Sequence, residues 1–146
     1  MQKVFDHSYG IIPLSKDPKT GRYKVFLIQN RHSRYWGFPK GHAEPGEVPL
    51  EAACRELFEE THLVFVSLVH DKPLRETYRF RHQHKTIEKT VLYFIAEVKG
   101  DAKLELDEVI DGVWLSLTQA EKRLTFNEGK HLCRLLKEIL KNKSST

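Results

Sequence analysis

The sequence has little cysteine, a single methionine and no long apolar run. Its two cysteines, Cys54 and Cys133, are distant from each other and outside any Cys-x-x-Cys pattern. Both fall in helical apolar patterns, so we expect two free buried thiols and not a disulfide. No apolar stretch approaches the roughly 18 residues that a membrane-spanning helix requires. The N-terminal residues MQKVFDHSYGIIPL also lack the apolar core and cleavage site of a signal peptide. We therefore expect a cytoplasmic protein that does not act at a membrane.

The length and charge of the chain limit its domain number and the kind of partner that it can bind. The chain has 146 residues, of which 40% are hydrophobic and 30% charged. This is the size of one ordinary domain, so we predict a single domain over residues 1–146, acting as a monomer. The formal net charge of +4 favours an anionic partner, and a polyphosphate and a nucleic acid both fit that description.

Hydrophobic periodicity predicts strands alternating with helices. Strands are expected at residues 8–14, 23–30, 63–70, 74–80, 86–98 and 112–117. Helices are expected at 49–61, at 118–124 with Thr118 as N-cap and Glu121 completing a capping box, and at 127–141, with fraying after that. A basic turn is expected before the fifth strand, containing Arg79, Arg81, His82, His84 and Lys85. The pattern predicts an α/β protein in which helices cover a sheet.

The stretch from Trp36 to Leu63 organises the chain, running from a short strand through a Gly- and Pro-rich loop into the helix at 49–61. One side of that helix is apolar, and a second side carries Glu56, Glu59 and Glu60 at i, i+3 and i+4. These carboxylates repel one another, and no compensating charge on the helix is evident. Three hard oxygen ligands on one element suit Mg²⁺ or Mn²⁺. The alternative is an ordinary solvated acidic face.

The spacing in this stretch resembles the Nudix box. Gly41 is followed by five residues and Glu47, then by seven residues and the run Arg55-Glu56-Leu57-Phe58-Glu59-Glu60-Thr61-His62-Leu63. His62 stands where that family has glycine. The position closes the helix, where a left-handed backbone is common and histidine is tolerated better than most residues. The box, residues 41–63, thus implies a Nudix-type α/β/α sandwich with a mixed central sheet.

The resemblance also implies roles for individual residues. Nudix enzymes hydrolyse a nucleoside diphosphate linked to another group with the help of divalent cations. The family pattern makes Glu56, Glu59 and Glu60 the metal ligands, with Glu59 or Glu56 as the base that activates water. Gly41 would contribute a backbone carbonyl, and Glu47 and Arg55 would form a structural ion pair. A further acidic ligand usually lies outside the box; we assign it to Glu108, with Glu105, Asp107 and Asp111 as rivals.

The segment Trp36-Gly37-Phe38-Pro39-Lys40-Gly41-His42 is similar to that of the asymmetrical bis(5'-nucleosyl)-tetraphosphatases. That likeness implies Mg²⁺-dependent hydrolysis of diadenosine tetraphosphate to ATP and AMP. Lys40 and His42 would contact the phosphate chain. Lys89 would be a further contact, or alternatively a solvent-facing strand lysine. Tyr78 and Phe126 are candidates for the aromatic platform that adenine needs, although each could equally serve core packing.

Three other functions fit the same box. RNA 5'-pyrophosphohydrolases, which act on an RNA 5' end, share a Trp-x-Phe-Pro-x-Gly segment, but they typically have Gln and Gly where this chain has Lys40 and His42. A diphosphoinositol polyphosphate hydrolase is a second alternative. A non-catalytic Nudix-fold module that binds a nucleotide is the third. Such modules tend to lose box glutamates, and all of them are present here.

Overall fold

The computed structural model of the protein describes residues 2–144. Within that range eight strands form one sheet and three helices lie against it. The strands are β1 (Lys3–Lys16), β2 (Tyr23–Asn30), β3 (Trp36–Gly37), β4 (Lys40–Gly41), β5 (Val64–Leu68), β6 (Leu74–His82), β7 (Lys85–Lys99) and β8 (Val109–Ser116). The helices are α1 (Pro49–Thr61), α2 (Leu117–Arg123) and α3 (Asn127–Ser144).

The sheet is mixed, as predicted. Its main strand order is β3-β2-β1-β7-β5, and β4, β6 and β8 add to β1, β7 and β2 respectively. The parallel pairing joins β1 to β7, from Lys3 opposite Thr86 to Leu14 opposite Glu97. All other strand pairs described are antiparallel. The long central pair therefore gives every other element its position.

Helices cover both faces of the sheet, which confirms the predicted α/β/α sandwich. Side chains alternate between faces along a strand, so the neighbours Ile11 and Ile12 enter different cores. Ile11 packs in a cluster with Ala53 and Leu57 of α1. Ile12 packs in a second cluster that includes Leu132 of α3. The apolar side predicted for α1 is thus its buried side.

The N-terminal strand and the β6–β7 hairpin are longer than their local sequence predicts. Strand β1 begins at Lys3 because its first residues pair with β7. Strands β6 and β7 join through a two-residue turn, in which Gln83 and His84 have φ of 50° and 64°. Arg79, Arg81, His82 and Lys85 therefore lie on paired strands. The prediction of a basic turn containing them is wrong, because the turn itself needs only two residues.

The second helix begins one residue before its predicted start, at Leu117. Ser116 caps it, accepting a hydrogen bond from the Gln119 backbone N–H, while the Gln119 side chain returns a bond to the Ser116 N–H. The predicted cap at Thr118 with Glu121 is wrong. Glu121 is occupied elsewhere, since its carboxylate accepts bonds from Lys137 and Arg134 of α3.

Several smaller expectations are also settled. Helix α3 continues past the expected end at residue 141 to Ser144, while Ser145 and Thr146, expected to fray, lie outside the described residues. Cys54 and Cys133 are both free thiols, the first partly buried and the second fully buried. None of the helices described here has the length and apolar character needed to cross a membrane.

His62 closes α1 in the left-handed conformation that its position predicts. Its φ is 63°, and its backbone N–H donates to the Phe58 carbonyl at 2.9 Å. The imidazole stacks on the Phe58 ring, with 4.8 Å between centroids. The ring contact therefore offsets part of the cost of a left-handed non-glycine residue.

We expect His62→Gly to be more stable than His62→Ala by about 1 kcal/mol, because both lose the ring contact but only glycine avoids the left-handed strain. Chemical denaturation of the two variants measures the difference. Equal stability would show that the backbone at this position is not strained.

Candidate active site

Strand β4 carries the loop before α1 across the glutamate side of that helix. Lys40 and Gly41 pair with Gly10 and Tyr9 of β1. A Cβ at residue 41 would collide with the Glu56 carboxyl group. Glycine therefore lets the strand pass this close while the Glu56 carboxylate stays in place, which gives a reason for the residue at the start of the box.

The Arg55 guanidinium joins the loop to the helix. Its Nε and Nη2 donate to the two Glu47 carboxylate oxygens at 2.7 and 3.0 Å, and Nη2 also donates to the His42 carbonyl at 2.8 Å. Nη1 donates to Glu56 at 3.0 Å and to Glu59 at 3.1 Å. Hydrogen bonds from Arg55 lower the pKa of Glu47. Our expectation that nothing on the helix compensates the glutamates is therefore wrong.

Glu60 receives no bond from Arg55 and is the most buried of the three helix glutamates, with 8% of its surface exposed. It accepts a hydrogen bond from the Lys40 backbone N–H at 3.0 Å. Burial, with the nearby charge of Glu56, raises the pKa of Glu60 to about 8. Burial also raises the pKa of Glu56, against the opposing effect of Arg55. The charge of Glu108 contributes to both shifts, so this residue lies near the helix glutamates.

The donor set fits a hard divalent cation. Carboxylate oxygens are what Mg²⁺ and Mn²⁺ prefer, and burial, with the charges of neighbouring carboxylates, raises the pKa of Glu56 and of Glu60. In the part of the chain described, no three acidic, histidine or cysteine side chains converge closely enough to hold an ion as they stand. Arg55 bonds one oxygen of Glu56 and one of Glu59, which leaves the second oxygen of each carboxylate for a metal.

A cavity of about 720 Å³ opens beside Glu60. Its polar lining includes Lys40, Glu60, Glu76 and Glu108. Aromatic residues from several parts of the chain also line it, among them Tyr35 and Trp36, Tyr78 and Phe80, and Phe126. The cavity thus combines charged groups with ring surfaces, as a site for a nucleotide would.

Both predicted platform residues line this cavity, each beside another ring. Tyr35 and Phe126 meet edge to face, with 4.6 Å between centroids. Tyr78 stacks on Phe80 at 6.1 Å. Phe126 is 49% exposed, so it keeps a free surface for a base. Tyr35 was missed in the sequence analysis, although it adjoins Trp36 in the segment that resembles the tetraphosphatases.

The Lys40 side chain provides a cation without a close partner. Among the described residues its ammonium group forms no hydrogen bond or ion pair, and it lines the cavity near Glu60. Burial, with the charge of Lys89, lowers the pKa of Lys40. An anionic ligand would therefore supply the partner that this side chain lacks.

His42 and Lys89 belong to a separate cluster beside the cavity. The His42 Nε2 lies 2.9 Å from an Asp6 oxygen, and the Lys89 Nζ donates to Asp6 at 2.8 Å and to the Ser8 hydroxyl. Lys89 is 6% exposed, so the alternative of a solvent-facing lysine is wrong. It lies on β7, between β1 and β6, and its side chain is buried. Sequence reasoning missed Asp6, because nothing local ties it to residues 83 positions away.

The rival acidic residues lie near Glu108 in the sequence but do not line the cavity beside Glu60. Glu105 and Asp107 line a second, shallower cavity together with Phe58, Glu59 and His62. Asp111 accepts a bond from the Gly112 backbone N–H. Of the four candidates, Glu108 alone borders both cavities, which places it between the helix glutamates and the aromatic site.

Comparison with known proteins bears on this arrangement. The family model of the NUDIX domain matches residues 8–135. The bis(5'-nucleosyl)-tetraphosphatase (asymmetrical) of Rattus norvegicus is 37% identical over 98 residues, covering 66% of this chain and 65% of that protein. The chain thus matches somewhat less than two thirds of the length of that relative. The crystal structure of the Caenorhabditis elegans Ap4A hydrolase superposes with a TM-score of 0.74 at 26% identity, covering 94% of this chain and 99% of that one. A shorter match, 55% identical over 38 residues, covers 26% of this chain and 23% of the RNA pyrophosphohydrolase of Rhizobium meliloti (strain 1021).

We expect Glu47→Gln to lower the midpoint of thermal unfolding by several degrees, because it weakens two bonds that hold the loop on α1. Glu44→Gln is the matched control: Glu44 is 65% exposed and its oxygen lies 3.8 Å from Arg55. Differential scanning calorimetry compares the two. Equal unfolding midpoints for the two variants would contradict a structural role for the Glu47–Arg55 pair.

Glu60 should make the metal-free protein less stable as pH rises. Burial raises the pKa of Glu60 from its ordinary value of 4.5 to about 8 in the folded protein, so the folded state binds the proton more tightly. Stability from this group is present below about pH 4.5 and is lost as pH rises towards 8. Glu60→Gln, which keeps the acceptor for Lys40, should therefore become more stable than the native protein as pH rises. Denaturation in the presence of a chelator measures this difference, and a difference that does not change with pH would contradict the shift.

Proposed function

This chain belongs to the NUDIX domain family, and we propose that it is a pyrophosphohydrolase that cleaves diadenosine tetraphosphate into ATP and AMP. The observation that carries the proposal is the position of Lys40. Its unpaired ammonium shares one cavity with Glu60 and with the aromatic side chains. The same lysine belongs to the Pro39–His42 segment that resembles the tetraphosphatases, and the rat protein of that name matches this chain at 37% identity.

Divalent metal would be held by Glu56, Glu59 and Glu60, with Glu108 and the Gly41 carbonyl completing the set. When bound, Mg²⁺ or Mn²⁺ neutralises phosphate charge and lowers the pKa of water at the site. Glu59 or Glu56 accepts the proton from the attacking water. Glu59 is the more accessible of these two, with 54% of its side chain exposed against 16% for Glu56. Glu47 acts through Arg55, which keeps the loop and the helix in register.

The phosphate chain would extend from the glutamates past Lys40 towards His42. Lys40 binds phosphate oxygens directly. His42 lies on the outer side of this path with 66% of its side chain exposed, and Asp6 orients its ring. Lys89 contributes by fixing Asp6, so its effect on the phosphates runs through the His42 pair.

One adenine would lie between the ring pairs of the cavity. Tyr78 and Phe126 supply stacking surfaces from opposite walls, and each stacked base contributes roughly 1–3 kcal/mol. With a base anchored there and the glutamates at a fixed position, water attacks at a set distance from that base. The cleavage is then asymmetric.

A second candidate substrate is the triphosphorylated 5' end of RNA. The 38-residue match to the Rhizobium meliloti enzyme supports it, as does the net charge of +4. Lys40 and His42 favour the dinucleotide, since the RNA enzymes typically have Gln and Gly at these positions.

Diadenosine tetraphosphate should give ATP and AMP in equal amounts, without ADP, when incubated with the protein and Mg²⁺. Chromatographic product analysis tests this. Two molecules of ADP would refute the asymmetric reaction. An inert dinucleotide, with rapid release of pyrophosphate or phosphate from triphosphorylated RNA, would transfer the assignment to the RNA reaction.

Glu59→Gln and Glu60→Gln should each reduce turnover by several orders of magnitude while the fold persists, because each removes a charged metal ligand. Glu51→Gln is the matched control, a glutamate in the first turn of the same helix and on its exposed surface. Steady-state kinetics and circular dichroism separate activity from folding. Turnover close to that of the control in both variants would overturn the metal assignment.

A further inference from the structure

On the face of the sheet that α1 covers elsewhere, one part is left uncovered by the helices of residues 2–144. Here β7 lies between β1 and β6, and the register aligns three rows of side chains: Lys3, Thr86 and Arg81; Phe5, Glu88 and Arg79; and His7, Thr90 and Thr77. Arg75 extends the face by one further row. We call this surface the open sheet face. It is defined by its large exposed residues Lys3, Phe5, His7, Arg75, Arg79 and Arg81.

An aromatic ring stands free on this face. Phe5 is 61% exposed, the largest exposed fraction among the large hydrophobic residues described. The Lys3 ammonium lies over the ring, 5.2 Å from its centre, so the ring combines an exposed apolar surface with a cation held against it. A phenylalanine in such a position gains nothing from the core, so its ring is available to a ligand.

The charge of the open sheet face is strongly positive. Glu88 is the acidic residue within its rows, and it is already engaged by Arg79 at 2.8 Å and by Lys3 at 3.7 Å. The side chains of Arg75 and Arg81 form no hydrogen bond or ion pair with any described residue, although their backbones pair with β7. Two guanidinium groups are thus free on β6, across the sheet from Phe5 on β1.

We propose that the open sheet face binds single-stranded RNA. An exposed ring on a bare sheet provides a stacking surface for a base, and the arginines provide partners for the flanking phosphates. Threonine hydroxyls lie between them, with Thr77 and Thr90 3.4 Å apart, and can bond the ribose 2'-hydroxyl. A duplex would present neither an unstacked base nor a flexible backbone to this flat surface.

This binding is separate from the proposed hydrolysis. Side chains alternate along a strand, so Phe5 and Glu88 face one side of the sheet while Asp6 and Lys89 face the other. A 5'-hydroxyl oligonucleotide carries no polyphosphate for the candidate active site. Its binding therefore tests the open sheet face whether or not the proposed reaction occurs.

Fluorescence anisotropy with a short, labelled 5'-hydroxyl oligouridylate and the full chain provides the test. Phe5→Ala should weaken binding by about tenfold, as expected for the loss of one stacked base. The double variant Arg75→Gln/Arg81→Gln should weaken it further and reduce the slope of log K against log salt by about 1.4, for two lost phosphate contacts. The control double variant Lys19→Gln/Lys141→Gln has the same net charge but alters the β1–β2 loop and α3, and it should bind almost as the native chain does.

Addition of ATP should not displace the oligonucleotide, and hydrolysis of dinucleotide should be unchanged in Phe5→Ala. Absence of binding at low salt would overturn the proposal, as would equal losses in the arginine and lysine double variants. Equal affinity for DNA of the same sequence would overturn the assignment to RNA. A concentration-dependent dimer that disappears in Phe5→Ala would show instead that a second copy of the chain covers this face.

Discussion

The Arg55 guanidinium is the group on which the candidate active site depends. It binds Glu47 and the His42 carbonyl on the loop, and Glu56 and Glu59 on the helix. One cation therefore holds the loop in place and reduces the repulsion among clustered carboxylates. Glu60 lies beyond its reach, and burial, with the charge of Glu56, raises the pKa of Glu60.

The parallel pairing of β1 with β7 brings together Asp6 and Lys89, which lie beside the cavity of the candidate active site. Asp6 and Lys89 are opposite each other in this register, and their side chains meet at 2.8 Å on one face. Their neighbours Phe5 and Glu88 are also opposite each other and point to the other face. A shift of one residue in the register would exchange the two surfaces. The separation of the candidate active site from the open sheet face is thus a direct consequence of strand alternation.

The aromatic cavity is assembled from distant segments. Tyr35 precedes β3, Tyr78 lies on β6 and Phe126 precedes α3. The ring pair Tyr35–Phe126 joins two of these segments at 4.6 Å. Because the rings stand on separate elements, the width of the cavity depends on how α3 packs against the sheet. Nucleotide binding and packing of the C-terminal helix should therefore be linked.

The sequence by itself determined the features that depend on neighbours within a few residues. Helix α1 has the predicted bounds, its apolar side is buried, and His62 adopts the left-handed conformation that ends it. The periodicity of the strands and helices was sufficient to indicate a sheet between helices, and the resemblance of the box added that the sheet is mixed. The resemblance of the box predicted an ion pair between Glu47 and Arg55. Such a pair depends only on a loop and the helix that follows it, which remain close in space.

Only the tertiary structure decided the contacts between distant segments. Glu121 leaves the capping position to Gln119 because α3 brings Lys137 and Arg134 to it. Lys89 is buried because Asp6 and Ser8 lie opposite it across a parallel pair, which no local pattern reveals. Arg55 can bond both the loop and the helix only because the pairing of β4 with β1 places the loop against α1. Hydrogen bonds and ion pairs of this kind depend on atomic distances that periodicity does not encode, so they appear only once the chain is folded.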